Sequence, residues 1–501
     1  MSEPRDELIS LNPATEAAIG AVPVSSPAEV EQAVARARAA QPAWARTPVG
    51  ERAALIQRFV RSLVDQRQSI AARLSAEVGK PVFEALMHEV AGLTLIGRYY
   101  SQNAESMLAA RPIPLGIARH RASYLHHKAL GVSALISPFN FPFVIAGGSA
   151  VANLLAGNAV VLKPSELTPF SAEILKDLFT EAGLDPALFQ VLHGRGPVGA
   201  ALVEARPDHV ELTGSVPTGR RVGARCGELL IPCTLELGGK AAALVLPDAD
   251  LDRTADALVW GAFANCGQVC ASVERALVHA TVYDALLGKV LERVARLRVG
   301  DPASGAVDMG PMVSGEQRAK VQALVSSAVD AGAKLHLGGK APESRGFFFE
   351  PTVLGLVDPG MDIANREIFG PVLPLLRFDD VEAMVEESNR VRMGLIAYVF
   401  SEDSSRARAL SERLQCGTVM VNDVLATYGM PETPWAGLGD SGVGRAHGEA
   451  WLRELSQTRH VNVPSLPALA RDPWWFPYGP AQDRALGQVL RLLRPWRRGK
   501  R

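Results

Sequence analysis

The chain has 501 residues, 48% hydrophobic and 21% charged, and its 52 Lys+Arg nearly balance 53 Asp+Glu. Such a chain has room for two or three globular domains, and its near-zero net charge gives the body no reason to bind nucleic acid. The five cysteines (226, 233, 266, 270 and 416) are odd in number and unevenly spread, so they suggest no disulfide framework and fit a reducing compartment. The polar start, Met-Ser-Glu-Pro-Arg-Asp-Glu, lacks the apolar run of a secretory leader, and no stretch is apolar for long enough to span a bilayer. A cytoplasmic location is expected.

Apolar residues at helical spacing predict helices over 28–43, 49–65, 68–78 and 80 to about 107, with a scaffolding role. Residues 118–135 mix β-formers with polar residues and suit a projecting hairpin followed by a buried strand. His126 and His127 are adjacent, so their imidazoles do not share a strand face. They read as surface or interface residues, and no metal site is expected.

From Gly131 the pattern becomes β-α-β. Strands are expected over 131–137, 159–163, 189–193 and 209–212, with helices over 142–155, 170–182 and 199–205. This alternation implies a parallel sheet with helices on both faces, whose ligands bind beyond the carboxyl ends of the strands. After the first strand, Pro138-Phe139-Asn140-Phe141-Pro142 leaves one amide, Asn140, between aromatics. After the second, Lys163-Pro164-Ser165-Glu166 places an ammonium and a carboxylate at a strand end. After the third, Gly194-Arg195-Gly196-Pro197-Val198-Gly199 satisfies G-x-G-x-x-G through Gly196 and Gly199, although Pro197 is unusual in a phosphate loop. After the fourth, Gly214-Ser215 precedes a helix whose N-terminus can hold a pyrophosphate. Glu236, in Leu-Glu-Leu-Gly-Gly-Lys, is one carboxylate in an apolar strand end. It is either paired structurally or has a raised pKa suited to proton transfer.

Residues 241–440 repeat the alternation: strands over 241–246, 275–278 and 417–422, helices over 251–264, 282–296, 314–331, 381–389 and 404–414. In this second α/β domain lies Asn265-Cys-Gly-Gln-Val-Cys270, where Cys270 is the candidate nucleophile facing the first domain across a cleft. An unperturbed cysteine is barely ionised at neutral pH, so a depressed pKa or a nearby base is needed.

Together SPFNFPF (137–143), VLKPSELTP (161–169), ELTGSVPTG (211–219), LELGGK (235–240), GQVC (267–270) and EIFGPV (367–372) resemble the NAD(P)-dependent aldehyde dehydrogenase superfamily over about residues 8–463. The resemblance implies an α/β, aldehyde dehydrogenase-like fold. It comprises a Rossmann-type cofactor domain (1–117 and 131–238), an α/β catalytic domain (239–454) and a small β oligomerisation element (118–130 and 455–465). It further implies that the Cys270 thiolate attacks an aldehyde, that Asn140 and a backbone N–H hold the oxyanion, that hydride leaves for nicotinamide, and that Glu236 activates the water releasing the acid. Lys163 and Glu166 resemble the contacts to the adenosine ribose, with Ser165 between them, Ser215 the pyrophosphate contact, and Glu367 with Phe369 the grip on the nicotinamide ribose. A carboxylate beside the ribose would repel a 2′-phosphate, so NAD is preferred to NADP, which some relatives also accept.

Two departures stand out. Many relatives carry a second glutamate after the Gly-Arg of the C-terminal motif, where this chain has Ala446, so a relay through that position is absent. Many also have Trp-Lys where this chain has Gly148-Ser149, which suggests a wider tunnel and a bulky or long apolar aldehyde. A semialdehyde such as succinic semialdehyde is the alternative substrate, and a non-catalytic binding protein of the same fold the alternative class. Acyl-CoA formation is disfavoured because Glu236 suits hydrolysis. A homodimer or homotetramer is expected through 118–130 and 458–463.

The tail, 466–501, is basic and aromatic. From 471 it carries Arg471, Arg484, Arg491, Arg494, Arg497, Arg498, Lys500 and Arg501 against Asp472 and Asp483, leaving a net −7 for the rest. A helix over 481–494, with Leu486, Val489, Leu490 and Leu493 on one face and Trp474, Trp475, Phe476, Tyr478 and Trp496 flanking it, suits peripheral contact with an anionic membrane. The other reading packs it across a neighbouring subunit or the substrate entrance.

Overall fold

A computed structural model describes residues 6–116, 118, 120–465, 472 and 474–493. It groups the chain into two compact units, Met1–Leu108 with Lys128–Gln457, and Ala109–His127 with Thr458–Arg501.

The first unit carries two large sheets beside two two-stranded ones. In the six-stranded one the order is Gly442–Val443, Cys233–Glu236, His209–Thr213, Val132–Ile136, Ala159–Lys163, Phe189–Val191. All neighbours run parallel except Gly442–Val443, which is antiparallel to Cys233–Glu236. Strands such as Ala-Val-Val-Leu-Lys are buried along their whole length, as a sheet covered on both faces requires. The chain starts at Val132–Ile136, works outward one way to Phe189–Val191, then crosses to His209–Thr213 on the other side. The switch point therefore lies where Ser137–Phe143 and Gly214-Ser215 leave adjacent strands.

In the seven-stranded sheet the order is Lys334–Leu337, Thr352–Gly355, Val372–Phe378, Arg275–His279, Ala242–Val245, Ile396–Phe400, Thr418–Val421. Only Lys334–Leu337 runs antiparallel to its neighbour. Four of these strands, Ile396–Phe400, Lys334–Leu337, Thr352–Gly355 and Val372–Phe378, are not foreseen from the sequence. Pro374 interrupts the last of them in a register opposite Leu354, and a proline inside a run argues against an interior strand. An N-terminal hairpin, Glu7–Leu11 with Ala18–Pro23, is likewise unforeseen.

Most expected helices form within a few residues of their predicted bounds. Helix Gly196–Glu204 starts three residues early, because Pro197 fits a first turn where no N–H is needed. Helix Val144–Ala156 is buried on every side and ends at Gly157 in the left-handed region. Its Gly147 lets helix Gly92–Met107 pack close, since a Cβ there would stand 2.6 Å from Leu93 Cδ2.

The stretch expected as one helix from Lys80 is not continuous. Pro81 precedes a short turn, Val82–Glu84, followed by a π-helical turn, Ala85–Ala91, before the α-helix Gly92–Met107. π-turns concentrate at functional sites; this one carries Glu89 inward and the short turn before it Glu84, and both are buried. Lys80 Nζ donates to Glu89 Oε1 and to the Asn140 carbonyl, each at 2.7 Å. Glu89 Oε2 accepts the N–H groups of Phe143 at 3.2 Å and Val144 at 2.9 Å. One buried ion pair thus fixes the loop after the first strand to the helix that follows it.

The second unit contains a three-stranded sheet, ordered Ser456–Pro464, Arg121–Ala129, Arg111–Ile113. Within this unit, Pro480–Leu492 forms a helix with no buried residue, and Leu486, Leu490 and Leu492 are exposed. Arg471, Arg494, Trp496, Arg497, Arg498, Lys500 and Arg501 lie outside the described residues. Among the described residues no helix is long and apolar enough to cross a membrane, and no cluster of metal-ligating side chains occurs.

Lys80→Met leaves Glu89 buried without its counter-charge and is expected to destabilise the protein by about 3 to 5 kcal/mol. A lowered thermal midpoint checks this, and Lys80→Met/Glu89→Leu should cost less than the two single changes added. An unaltered midpoint in Lys80→Met would contradict the role given to the pair.

Candidate active site

Cys270 sits between helix Leu251–Phe263 and strand Arg275–His279, after a tight turn, Ala264–Gly267. Asn265, Cys266 and Gly267 all have positive φ. At Gly267 glycine is required twice over, by its φ of +69° and because a Cβ would lie 2.1 Å from the Gly370 carbonyl oxygen. The strain at Asn265 is held by its surroundings. Its N–H donates to Glu84 Oε2 at 2.9 Å and its side-chain amide to the carbonyls of Asn140 and Gln268. Gln268 in turn accepts the Val313 N–H at 3.0 Å.

The buried Asn140 side chain lines the same cleft as Cys270. One amide hydrogen is spent on the Gln268 carbonyl at 3.0 Å, which aims the group and leaves the second for an oxyanion. Burial, and then the Glu367 and Glu236 carboxylates, push the half-buried Cys270 thiol up to about 12, against the pull of the Ala271 and Cys270 backbone amides. A depressed thiol pKa is not present, so the resting group is a thiol and needs a base or a nearby positive charge. The two opposing amides are the backbone donors placed at the sulfur.

Glu236 ends its strand with both carboxylate oxygens buried and without a hydrogen-bond partner of good geometry. Burial and the charge of Glu211 hold it well above the ordinary carboxylate range, with the Trp435 indole opposing. No structural ion pair holds Glu236 among the described residues, and neither of its oxygens has a hydrogen bond of good geometry.

A cleft of about 830 Å³ brings together Asn140, Ser165, Glu166, Gly214, Ser215, Glu236, Cys270, Glu367 and Phe369. Three other expected residues do not line it. Lys163 lies beneath, 3.6 Å from Glu166 Oε2, its ammonium pKa lowered by burial, with Glu166 opposing. Gly199 packs over the Lys163 stem, and Gly196 is an exposed first residue of its helix. Arg195 lines the cleft beside them. Ser165 Oγ accepts the Leu167 N–H at 3.2 Å and fixes that turn. Ser215 caps helix Val216–Leu229 by backbone position only, its hydroxyl turned to Thr218, so no side chain occupies the first-turn N–H groups. They and the helix dipole face the cleft as an anion site.

At the other end, a second buried ion pair works as Lys80–Glu89 does. Lys240 Nζ donates to Glu274 Oε2 at 2.7 Å, and Glu274 accepts the N–H groups of Ile368 and Phe369, the latter in a strained positive-φ conformation. Glu367 Oε1 accepts the Gly239 N–H at 2.9 Å, and burial pushes its carboxyl up to about 7. The rings of Phe369 and Phe139 meet edge to face at 5.8 Å across the cleft. Lys80, Glu84, Glu89, Asn265, Gln268, Lys240 and Glu274 escape the sequence reading. Their one signal is charge or amide in otherwise apolar surroundings.

The space expected at Gly148-Ser149 is not open. A Cβ on Gly148 would meet Ile96 Cδ1 at 3.3 Å. The Ser149 hydroxyl donates to Glu211, and the cavity beside it measures about 20 Å³. The small pair therefore does not widen a tunnel.

The family model described as "Aldehyde dehydrogenase family" matches residues 1–461. A betaine aldehyde dehydrogenase of Cereibacter sphaeroides is 37% identical over 452 residues, covering 90% of this chain and 92% of that one. One of Brucella canis is 36% identical over 456 residues, with the same coverage. Among solved structures, an NAD+ complex of aldehyde dehydrogenase from Bacillus cereus superposes with a TM-score of 0.89 at 31% identity, covering 92% of this chain and 94% of that one. An NAD-dependent aldehyde dehydrogenase from Sinorhizobium meliloti gives 0.89 at 34% identity, covering 93% of each.

A thiol held near 12 alkylates slowly at neutral pH. In the protein without cofactor, iodoacetamide labelling of the Cys270 peptide is expected to rise about tenfold per pH unit between pH 7 and 9. A plateau below pH 8, read by peptide mass spectrometry, would contradict the protonated resting state.

Proposed function

The chain belongs to the aldehyde dehydrogenase family of oxidoreductases, and from that premise we propose that it oxidises an apolar aldehyde to its carboxylic acid with NAD, using Cys270 as nucleophile and Glu236 as base. The observation that carries this reading is the convergence of Cys270, Asn140 and the unpartnered Glu236 carboxylate on one cleft.

The residues at the cofactor end fit NAD. The open N-terminus of Val216–Leu229 suits a pyrophosphate, the Lys163–Glu166 pair suits ribose hydroxyls, and Glu367, fixed by the Gly239 N–H, suits the second ribose. Glu166 disfavours a 2′-phosphate. Bound NAD supplies a cationic ring that accepts hydride. In this reading the six-stranded lobe carries the cofactor and the seven-stranded lobe the nucleophile.

The Cys270 thiol gives up its proton to water in the cleft, the sulfur bonds to the aldehyde carbon as the C=O π pair moves to oxygen, and the oxyanion takes hydrogen bonds from the free Asn140 amide hydrogen and the backbone amides at the sulfur. Loss of hydride from that carbon leaves a thioester on Cys270. Glu236 takes a proton from water as its oxygen attacks the thioester, and the acid leaves as the sulfur is released. Because Glu236 must be ionised and its pKa is raised, hydrolysis is expected to fall with decreasing pH well before an ordinary carboxylate would titrate.

The side chains Ile145, Leu395, Tyr428 and Trp435 grouped near Cys270 are apolar or aromatic, Glu211 and Glu236 are the charged groups beside them, and no cationic side chain is among them. An anionic semialdehyde has no counter-ion there. A second reading, a quaternary ammonium aldehyde, is favoured by the faces of Tyr428 and Trp435 and by the names of the relatives. We also infer self-association through the exposed edge strand Ser456–Pro464.

NADH formation from acetaldehyde, octanal, benzaldehyde, betaine aldehyde and succinic semialdehyde tests the reading. Octanal and benzaldehyde should exceed succinic semialdehyde and acetaldehyde in kcat/KM by about tenfold or more. Cys270→Ala should be inactive, and Asn140→Ala should lose about a hundred- to a thousand-fold in kcat. A preference for acetaldehyde or the semialdehyde overturns the substrate class, and activity in Cys270→Ala overturns the nucleophile.

A further inference from the structure

Glu211 has no part in the chemistry above, yet it is a fully buried carboxyl directly behind the base. It lies on the central strand His209–Thr213, two positions inward from the strand end, in a register that pairs its strand with Cys233–Glu236. Its Oε1 accepts the Ser149 hydroxyl from helix Val144–Ala156, the Asn153 amide of the same helix also acts on the carboxylate, and Oε2 has no hydrogen bond of good geometry. Glu211, Glu236, Ser149, Cys270 and Ala446 line one small cavity of about 20 Å³. That volume accommodates one water, and three carboxylate oxygens without a hydrogen bond of good geometry, Glu211 Oε2 and both of Glu236, supply the polar partners such a water needs. Ala446, the residue after Gly444-Arg445, contributes only a methyl group to this wall. The second carboxyl of the site enters from the sheet instead.

We propose that Glu211 is a positioning residue for the base: it and Glu236 face one water-sized cavity, hold a single proton between them, and so determine when Glu236 is free to take a proton from the hydrolytic water. The inference rests on Glu236 being the base. Two carboxylates sharing a dry site cannot easily both ionise, so the pair titrates in two macroscopic steps, the second displaced upward by like charge. Burial pushes Glu211 up to about 7 against the Ser149 hydroxyl and the Asn153 amide, which favour its anion. Its charge contributes to the raised pKa of Glu236.

The surroundings supply no cation to relieve this. Cys270 and Tyr428 line the cavity, and burial raises both, so they stay neutral near pH 7. The His447 ring meets that of Tyr428 at a tilt, 4.5 Å between centroids, and burial lowers its pKa to about 3, so it is uncharged. Glu89 also acts on Tyr428, but it is neutralised by Lys80. Among these groups the Glu211 charge is the one that can change near neutral pH and act on Glu236 from behind. Protons balance simply: water gives one to Glu236 as its oxygen bonds the thioester carbon, and the pair, previously holding one proton or none, holds one more.

Deacylation alone reports this step. The acyl-enzyme formed with p-nitrophenyl acetate is freed of reagent, and loss of the acetyl group from Cys270 is followed by mass spectrometry from pH 5.5 to 9. Wild type, Glu211→Gln, Glu211→Asp and Glu236→Gln are compared. Should Glu211→Gln not fold, Glu211→Leu also removes the charge. Removing it is expected to move the acid limb down by about one pH unit, so that deacylation at pH 6, relative to the plateau, rises about tenfold. Glu211→Asp keeps the charge and should keep the limb near its wild-type position. A role in packing alone would lower the rates without moving the limb. An unmoved limb in Glu211→Gln, with Glu236→Gln inert, overturns the pairing and leaves Glu236 as base. Deacylation at the wild-type rate in Glu236→Gln overturns the base itself and the pairing with it.

Discussion

Two buried lysine–glutamate pairs govern the geometry of the site. Lys80–Glu89 ties the Asn140 loop to the start of helix Val144–Ala156, and Lys240–Glu274 ties Ile368 and Phe369 to the strand end that carries Glu236. Removing such charges from water is expensive, and the cost is offset only where hydrogen bonds satisfy the remaining donors and acceptors. Both glutamates meet that condition by accepting backbone N–H groups from loops that would otherwise be loose. The rigidity of the oxyanion donor and of the 367–369 loop follows from this. Loop positions that the proposed chemistry requires to within an ångström are fixed by ion pairs buried beneath them.

The second constraint is the imbalance of charge around the nucleophile. Glu211, Glu236 and Glu367 are buried near Cys270 or its base, and each is raised above its ordinary pKa. The two nearby lysines are already committed to their own glutamates. At rest the thiol is neutral, and burial opposes negative charge on all three carboxyls. Such a site is quiet until positive charge or a reacting carbonyl enters, which protects a reactive cysteine from idle chemistry.

Much of this was legible in the chain. The residues after each strand carried the functional groups because a doubly wound sheet places its ligands there, and the positions of Asn140, Glu166 and Ser215 followed from that rule. What escaped notice did so for physical reasons. Pro374 disguised a central strand, and the π-turn over Ala85–Ala91 looked like any helix because its period differs by less than a residue per turn. Lys80, between Gly79 and Pro81, resembles a surface lysine until the fold buries it. Gly148-Ser149 suggested empty space, but one position is filled by Ile96 and the other is used by Glu211.

The account stands or falls on covalent chemistry at Cys270 followed by hydrolysis that depends on Glu236. The most direct measurement is intact-protein and peptide mass spectrometry of Glu236→Gln mixed with NAD and octanal. The account predicts one octanoyl group per chain, on the peptide containing Cys270, persisting because its hydrolysis is blocked. No adduct, or an adduct on Cys266 or Cys416 instead, would contradict it.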